Sequence, residues 1–308
     1  MGCMPESILR VRIPGLDLVH PVMNASGILG YEPEHIDRMY RWGLSAIVTK
    51  TITPTPRRGY EAPIIIELPS GGFLNAVGLA NPGKERIPDI VSACRRIGLP
   101  VVVSVGGTSE NEFLDVASIA EESGANAVEL NLSCPHTKGY GMDIGSDPSN
   151  VRSVVKSVAQ SLKIPVYAKL GLSDNVVKSS EKALEAGATG LTLINTVKAM
   201  YVDVHSLKPV LTNVMGGLSG PPIHPIAVRV VYEVYRELKP VIIGVGGIYD
   251  WRSAAELIAV GASALQIGSM LALKGKEIVA EVLRGLERWV REKGAKNISE
   301  LVGAALRS

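Results

Sequence analysis

Several features that identify common classes of protein are missing from this chain. Its three cysteines, Cys3, Cys94 and Cys134, lie far apart and form no C-x-x-C pair. The sequence therefore predicts neither a disulfide framework nor an iron–sulfur site. The five histidines show no metal-site spacing, so no metal is expected. Glutamine occurs only at Gln160 and Gln266, a depletion typical of thermophilic proteins.

Charge and hydropathy exclude two further classes. The net charge is only +2 and no basic block interleaves with aromatic residues, so we expect no nucleic-acid partner. No apolar run reaches the ~18 residues that a membrane span needs, and the first residues lack the pattern of a signal peptide. Hydrophobic residues make up 46% of the 308 positions. We therefore expect a cytoplasmic, reduced protein with a sizeable core.

A glycine followed by a short apolar strand recurs along the chain, at Gly124, Gly187 and Gly261, with a looser copy at Gly43. Each copy predicts a helix end followed by a strand of a mainly parallel sheet. The predicted strands are 21–25, 45–50, 100–105, 127–132, 165–170, 190–194, 241–245 and 264–267, and the predicted helices between them include 110–122, 148–162, 176–185, 226–238 and 251–259. Eight such units predict one (β/α)8 TIM barrel over residues 1–308, with an inserted β-hairpin (64–68 and 73–77) and a long excursion (200–220).

Polar residues and glycines follow the predicted strands, where barrels of this class place their active sites. Lys50 and Lys169 each end an apolar strand. Burying an unpaired ammonium is costly, although either lysine alone also fits a surface position. The other strand ends carry Ser26, Thr51, Ser104, Asn131, Asn195, Thr196, Gly246, Gly247, Gly268 and Ser269. Together these residues predict a binding or catalytic site at the mouth.

The stretch at 128–136 is the most informative one, because an apolar strand runs directly into Asn131, Ser133 and Cys134. Pro135 ends the strand, and the glycines that follow predict a lid loop over 135–145. A thiol in this position is placed to act as a base or nucleophile. A half-buried cysteine without chemical function is the alternative for a lone thiol.

Two glycine-rich turns predict a phosphate site. Gly246-Gly247 follows the seventh strand and Gly268-Ser269 follows the eighth, which is where barrels commonly bind phosphate through backbone N–H groups. An apolar mouth with a phosphate site and a lysine suits FMN, because the lysine can stabilise negative charge on the reduced ring.

At this point the chain, from about residue 22 to about residue 273, resembles the dihydroorotate dehydrogenases of pyrimidine biosynthesis. The matching motifs are Asn24-Ala25-Ser26-Gly27, Thr49-Lys50-Thr51, residues 75–83, Asn131-Leu132-Ser133-Cys134-Pro135, Ile194-Asn195-Thr196, residues 216–221, Gly246-Gly247 and Gly268-Ser269. A cysteine in the fourth of these motifs resembles class 1, and Asn195-Thr196 with the Gly-Gly-Leu-Ser-Gly-Pro run resembles subclass 1B.

The resemblance implies FMN-dependent oxidation of dihydroorotate to orotate. Cys134 would remove the proton from C5 as general base, and FMN would accept the hydride from C6. The implied substrate contacts are Lys50, Asn75, Val77, Gly78, Leu79, Asn131, Asn195 and Thr196. The implied FMN contacts are Ser26, Lys50, Thr51, Ser104, Asn131, Lys169, Ile194, Gly220, Gly246, Gly247, Gly268 and Ser269.

The resemblance also implies a partner. Subclass 1B enzymes work with an electron-transfer subunit that carries FAD and an iron–sulfur cluster, as homodimers of the catalytic chain or as heterotetramers, whereas subclass 1A enzymes use fumarate. This chain has no Gly-x-Gly-x-x-Gly fingerprint of its own. Two positions depart from the family pattern: His136 and Ser104 stand where related enzymes usually or often have asparagine.

Two other functions stay open at this stage. Cys-Pro-His before a glycine-rich loop also resembles dihydropyrimidine dehydrogenase, which reduces uracil and thymine at the same flavin. A phosphosugar aldolase or isomerase with Lys169 as a Schiff-base nucleophile is the non-redox alternative. A flavin spectrum distinguishes the last function, and assays with dihydroorotate and dihydrouracil distinguish the other two.

Overall fold

The computed structural model describes residues 7–133 and 145–307. In chain order, the strands are β1 (Val11–Ile13), β2 (Leu16–Leu18), β3 (Val22–Asn24), β4 (Ile47–Val48), β5 (Ile65–Glu67), β6 (Phe73–Asn75), β7 (Val101–Val105), β8 (Ala127–Asn131), β9 (Val166–Leu170), β10 (Gly190–Leu193), β11 (Val197–Met200), β12 (Val202–Asp203), β13 (Lys208–Pro209), β14 (Met215–Ser219), β15 (Ile242–Val245) and β16 (Ala264–Ile267). The α-helices are α1 (Pro33–Arg41), α2 (Ile87–Arg96), α3 (Glu110–Glu122), α4 (Pro148–Ser161), α5 (Val176–Glu185), α6 (His224–Leu238), α7 (Trp251–Ala259), α8 (Ser269–Lys274) and α9 (Lys276–Glu292).

Eight parallel strands form a nearly closed barrel in the order β3-β16-β15-β10-β9-β8-β7-β4. Every residue of these strands is buried, as expected for a parallel sheet covered by helices. The predicted (β/α)8 fold is confirmed, and each predicted barrel strand agrees with the observed bounds within two residues. The C-terminal ends of all eight strands therefore meet at one mouth.

A side-chain amide closes the seam between β3 and β4, which stand at the two ends of the strand order. Asn24 Nδ2 donates to the carbonyl oxygen of Val48 at 2.7 Å, and Asn24 Oδ1 accepts from the Val48 N–H at 2.9 Å. One asparagine thus makes the pair of bonds that a backbone ladder would supply. The polar side chain of Asn24 at this strand end therefore joins β3 to β4.

A short hairpin, β1–β2, packs at the N-terminal end of the barrel. The hydroxyl of Tyr167 in β9 donates to the carbonyl of Pro14 in the hairpin turn at 2.8 Å. A Cβ atom at Gly15 would lie 2.6 Å from the carbonyl oxygen of Asn126, just before β8. The hairpin therefore lies at the end opposite the mouth.

A four-stranded antiparallel sheet, β11-β14-β6-β5, covers the mouth. The predicted hairpin forms β5 and β6, and the excursion at 200–220 supplies β14, which pairs with β6. Side chains along residues 73–77 alternate between the two faces of this sheet. Phe73, Asn75 and Val77 line the mouth, whereas Leu74 and Ala76 are buried in a small apolar cluster.

Within the described ranges, no helix combines the length and the apolar character needed to cross a membrane.

Candidate active site

A cavity of about 370 Å³ lies between the strand ends and the covering sheet, a size typical of small-molecule and cofactor sites. It brings together most residues that the sequence predicted for the site: Ser26, Lys50, Thr51, Asn75, Val77, Gly78, Leu79, Asn131, Lys169, Ile194, Asn195, Thr196, Gly220, Gly246, Gly247, Gly268 and Ser269. Cys134, His136 and the predicted lid up to residue 144 lie outside the described residues.

A chain of polar side chains crosses the floor of the cavity. The hydroxyl of Thr51 lies 3.1 Å from that of Ser26 and accepts from Asn131 Nδ2 at 2.9 Å. Asn131 Oδ1 in turn accepts from the hydroxyl of Ser133 at 3.0 Å. Asn195 Nδ2 donates to that same hydroxyl at 2.9 Å. These bonds fix the orientation of both amides, so they present defined donors and acceptors to a ligand.

Ser104 was predicted as a cofactor contact, but the structure places it one layer below the cavity. It is fully buried, and its hydroxyl lies 3.0 Å from Thr51 Oγ1. Its N–H donates to the Thr49 hydroxyl at 2.9 Å. Ser104 therefore supports Thr51, which lines the cavity itself.

Lys169 belongs to a closed network inside the barrel. Its ammonium lies 3.3 Å from Oε1 of Glu129 and 3.2 Å from Oε1 of Gln266. Gln266 Nε2 donates to the other carboxylate oxygen of Glu129 at 2.7 Å. All three residues are almost fully buried. The network keeps one ammonium at the cavity floor and compensates its charge from below.

Lys50 has a different environment. Its ammonium lies 5.2 Å from the ring centroid of Tyr31, and no carboxylate of the described residues forms an ion pair with it. Burial lowers the pKa of Lys50 from its ordinary value of 10.5, because desolvation disfavours the charged form. An anionic group in the cavity would supply the missing partner.

One end of the cavity is built from backbone donors. Within residues 7–133 and 145–307, no protein acceptor pairs with the N–H groups of Gly247, Gly268 and Ser269. All three residues line the cavity, and the Ser269 hydroxyl donates to the Ser219 hydroxyl at 2.7 Å. Neighbouring backbone N–H groups without a protein acceptor suit a phosphate.

Sequence reasoning assigned no role to Glu129 or Gln266. One signal was present: both are polar residues inside strands that are otherwise apolar. In a buried parallel strand such a residue needs a partner. Only the closed barrel shows that the partner of both is Lys169.

The comparisons with known proteins agree with this geometry. The family model described as dihydroorotate dehydrogenase matches residues 8–290. A relative from Aeropyrum pernix with the provisional name dihydroorotate dehydrogenase A (fumarate) is 46% identical across 100% of both chains. The dihydroorotate dehydrogenase B (NAD(+)) catalytic subunit of Thermococcus kodakarensis is 43% identical across 98% of this chain and 100% of its own. The corresponding subunit of Pyrococcus horikoshii is 42% identical across 99% and 100%. The chain therefore belongs to the dihydroorotate dehydrogenase family of oxidoreductases.

Proposed function

We propose that this protein oxidises dihydroorotate to orotate with FMN held in the mouth of the barrel. The observation that carries the proposal is the cavity itself, which combines backbone donors at one end, a compensated lysine on the floor and an uncompensated lysine near oriented amides. Together these features suit a phosphate-bearing cofactor and an anionic substrate with amide edges.

The fit to FMN rests on two groups. The unpaired N–H groups of Gly247, Gly268 and Ser269 would hold the phosphate. Lys169 would lie at the flavin ring, where a fixed ammonium stabilises negative charge. FMN supplies the acceptor for the hydride that leaves C6 of the substrate. Ser26, Thr51, Ile194, Gly220 and Gly246 would complete its contacts.

The substrate would bind beside FMN. Lys50 would pair with the carboxylate, which is the partner that its ammonium lacks among the described residues. Asn75, Asn131 and Asn195 would bind the amide edges, because each amide both donates and accepts. Thr196 and the backbone of residues 77–79 would enclose the remaining edge.

The proton at C5 needs a base, and we assign this role to Cys134. It follows Ser133, whose hydroxyl accepts from the Asn195 side chain, so the thiol is next in sequence to the polar floor. A free thiol has a pKa of ~8.5. It can accept the proton near neutral pH where its surroundings favour the thiolate.

The network of Lys169 argues against the aldolase alternative. A Schiff-base lysine must be neutral to attack a carbonyl, whereas Lys169 is ion-paired with a buried carboxylate. Reduction of uracil or thymine is not favoured by the family match either.

Of the three relatives described above, one is named for fumarate as electron acceptor and two for NAD(+). We propose that a second subunit with FAD and an iron–sulfur cluster carries electrons onward, with the catalytic chain as a homodimer or in a heterotetramer. The isolated chain should then reduce artificial dyes with dihydroorotate but not NAD. Robust NADH formation by the chain alone would contradict this proposal.

The direct test of the activity is anaerobic mixing. The purified protein should be yellow, and its flavin absorbance should bleach when it is mixed anaerobically with dihydroorotate. Dihydrouracil at the same concentration serves as the matched control, since it lacks the carboxylate that Lys50 would bind. Equal bleaching by both compounds, or a colourless protein that binds no FMN, would refute the proposal.

A further inference from the structure

The turn at Gly246-Gly247 packs directly on the first residue of α6. A Cβ atom at Gly247 would lie 2.6 Å from the carbonyl oxygen of Gly220 and 2.8 Å from the Cβ of His224. Its φ of +65° also favours glycine. The turn is therefore held between the start of α6 and the cavity, and its position depends on the contacts that His224 makes.

Both ring nitrogens of His224 have partners, although the residue is only 3% exposed. Nδ1 lies 3.0 Å from the carbonyl oxygen of Gly246, and Nε2 lies 2.9 Å from Oε2 of Glu256 in α7. A backbone carbonyl only accepts, so Nδ1 is the donor in its bond to Gly246. Tyr249 packs edge-on against the ring, with centroids 5.9 Å apart. His224 itself does not line the cavity.

The carbonyl of Gly246 and the N–H of Gly247 belong to one planar trans peptide, in which they point in opposite directions. A bond that holds the carbonyl on His224 therefore directs the N–H of Gly247 away from His224. That N–H is one of the cavity donors without a protein acceptor among the described residues. The ring thus fixes the direction of a donor that it never touches.

We propose that His224, oriented by Glu256, is a positioning residue for the phosphate end of the flavin. The inference rests on the proposed FMN site and assigns to His224 the selection of a phosphate-bearing flavin over one without phosphate. Glu256 makes the smaller contribution, because its side chain is 59% exposed and water can replace it.

The test exploits two amides that each copy one ring nitrogen. In His224→Asn the amide nitrogen occupies the position of Nδ1 and can keep the bond to Gly246. In His224→Gln it reaches the position of Nε2 and can keep only the bond to Glu256. Flavin-free protein is titrated with FMN and with riboflavin, and the two dissociation constants are read from flavin fluorescence.

We expect His224→Gln to weaken FMN binding about 5- to 10-fold, the scale of one lost hydrogen bond, with riboflavin binding nearly unchanged. His224→Asn should keep the ratio of the two constants close to that of the unmodified protein, and Glu256→Gln should shift it about twofold.

His20→Asn is the matched control. His20 Nε2 also lies 2.9 Å from a glycine carbonyl, that of Gly43, but His20 precedes β3 at the end of the barrel opposite the mouth. The ratio should not change in this variant. Melting temperatures of all four variants show whether any of them fails to fold.

Two failures are distinguishable. If the unmodified protein binds FMN no better than riboflavin, the phosphate site and the proposed cofactor are both rejected. If it prefers FMN and His224→Gln keeps that preference, or loses affinity for both flavins equally, only the role of His224 is rejected. Identical behaviour of His224→Asn and His224→Gln would likewise reject it.

Discussion

Lys50 follows β4 and Lys169 lies near the end of β9. Both line the same cavity, yet their surroundings differ. Lys169 is 3% exposed and its charge is balanced by Glu129, which is itself bound by Gln266. Lys50 is half-buried, contacts the Tyr31 ring, and has a pKa lowered by desolvation. One ammonium is balanced by the protein, and the other has no anionic partner among the described side chains.

Because their charges are balanced differently, the two lysines should contribute differently to stability and to ligand binding. A buried ion pair is costly to break, because removal of one partner leaves an uncompensated charge. A desolvated ammonium without a counter-ion carries a cost that an anionic ligand can relieve. We therefore expect the same substitution to lower stability at Lys169 but not at Lys50, and to change ligand binding at the two positions for different reasons.

The largest expected effect is on stability at Lys169. Lys169→Met leaves the carboxylate of Glu129 buried without its cation, which should lower the free energy of unfolding by about 3–5 kcal/mol. Urea denaturation of flavin-free protein measures the change. Adding Glu129→Gln should recover at least half of the loss, because two amides can then pair at positions 129 and 266. If Lys169→Met alone is as stable as the unmodified protein, the Lys169–Glu129 ion pair does not contribute to the stability of the fold.

A second prediction tests whether a lysine, rather than the thiol, is the base. The lowered pKa of Lys50 makes it the rival of Cys134. Cys134→Ala should bind FMN normally but slow flavin reduction by dihydroorotate by ~10²-fold or more, the scale of general-base loss. Stopped-flow absorbance measures the rate. Near-normal reduction would assign the proton to Lys50 and overturn the proposed division between the two lysines.

Cys134→Ser refines the same measurement. A serine hydroxyl is ionised far less than a thiol at neutral pH because its pKa is far higher, so this variant should be slow at neutral pH and recover in part at high pH. Cys94→Ser is the control for the loss of a thiol as such. Cys94 is fully buried in α2, and burial raises its pKa to about 12, so it should not contribute to the reaction.

The two lysines also show which features of the site can be predicted from the sequence. Both lysines lie at the ends of predicted strands, because a short apolar run is a local pattern that the sequence shows directly. The partners of Lys169 are not local: Glu129 and Gln266 are 40 and 97 positions away. Such contacts exist only once the strand order closes into a barrel.

Other misses have the same cause. The hairpin at the N-terminal end consists of two three-residue strands, which are too short for alternation to predict. The sheet over the mouth pairs β6 with β14, and the register between Asn75 and Gly217 cannot be read from either segment alone. His224 reads as an ordinary first residue of a helix until the turn at Gly246 is packed against it.

The third prediction is Lys50→Met. Stability of flavin-free protein should be unchanged or slightly higher, since a desolvated charge is replaced by an apolar side chain of similar length. Orotate affinity should fall about 10- to 100-fold, the range for a lost charge-assisted hydrogen bond. Calorimetric titration of the FMN-loaded protein with orotate measures it. Unaltered orotate affinity would mean that the carboxylate binds elsewhere, and a large loss of stability would remove the contrast with Lys169.

The smallest expected effect is the dependence of orotate binding on pH. Because burial places the pKa of Lys50 below 10.5, the unfolded chain binds more protons between the lowered value and 10.5. Stability of flavin-free protein should therefore rise with pH across that window.

Orotate binding should show the opposite trend, because the ligand needs the ammonium and its affinity falls as pH rises through the lowered pKa. We expect this loss of affinity on the alkaline side of neutrality, measured in the Cys134→Ala background so that the thiol does not titrate. Lys50→Arg in the same background should bind orotate with a flatter profile, since a guanidinium stays charged throughout. Ionisation of the ligand affects both variants equally, so the difference between their profiles reports on residue 50 alone. Superimposable profiles would show that the charge of Lys50 does not contribute to orotate binding, and the anionic partner of that ammonium would then have to be sought at the phosphate end of the cavity.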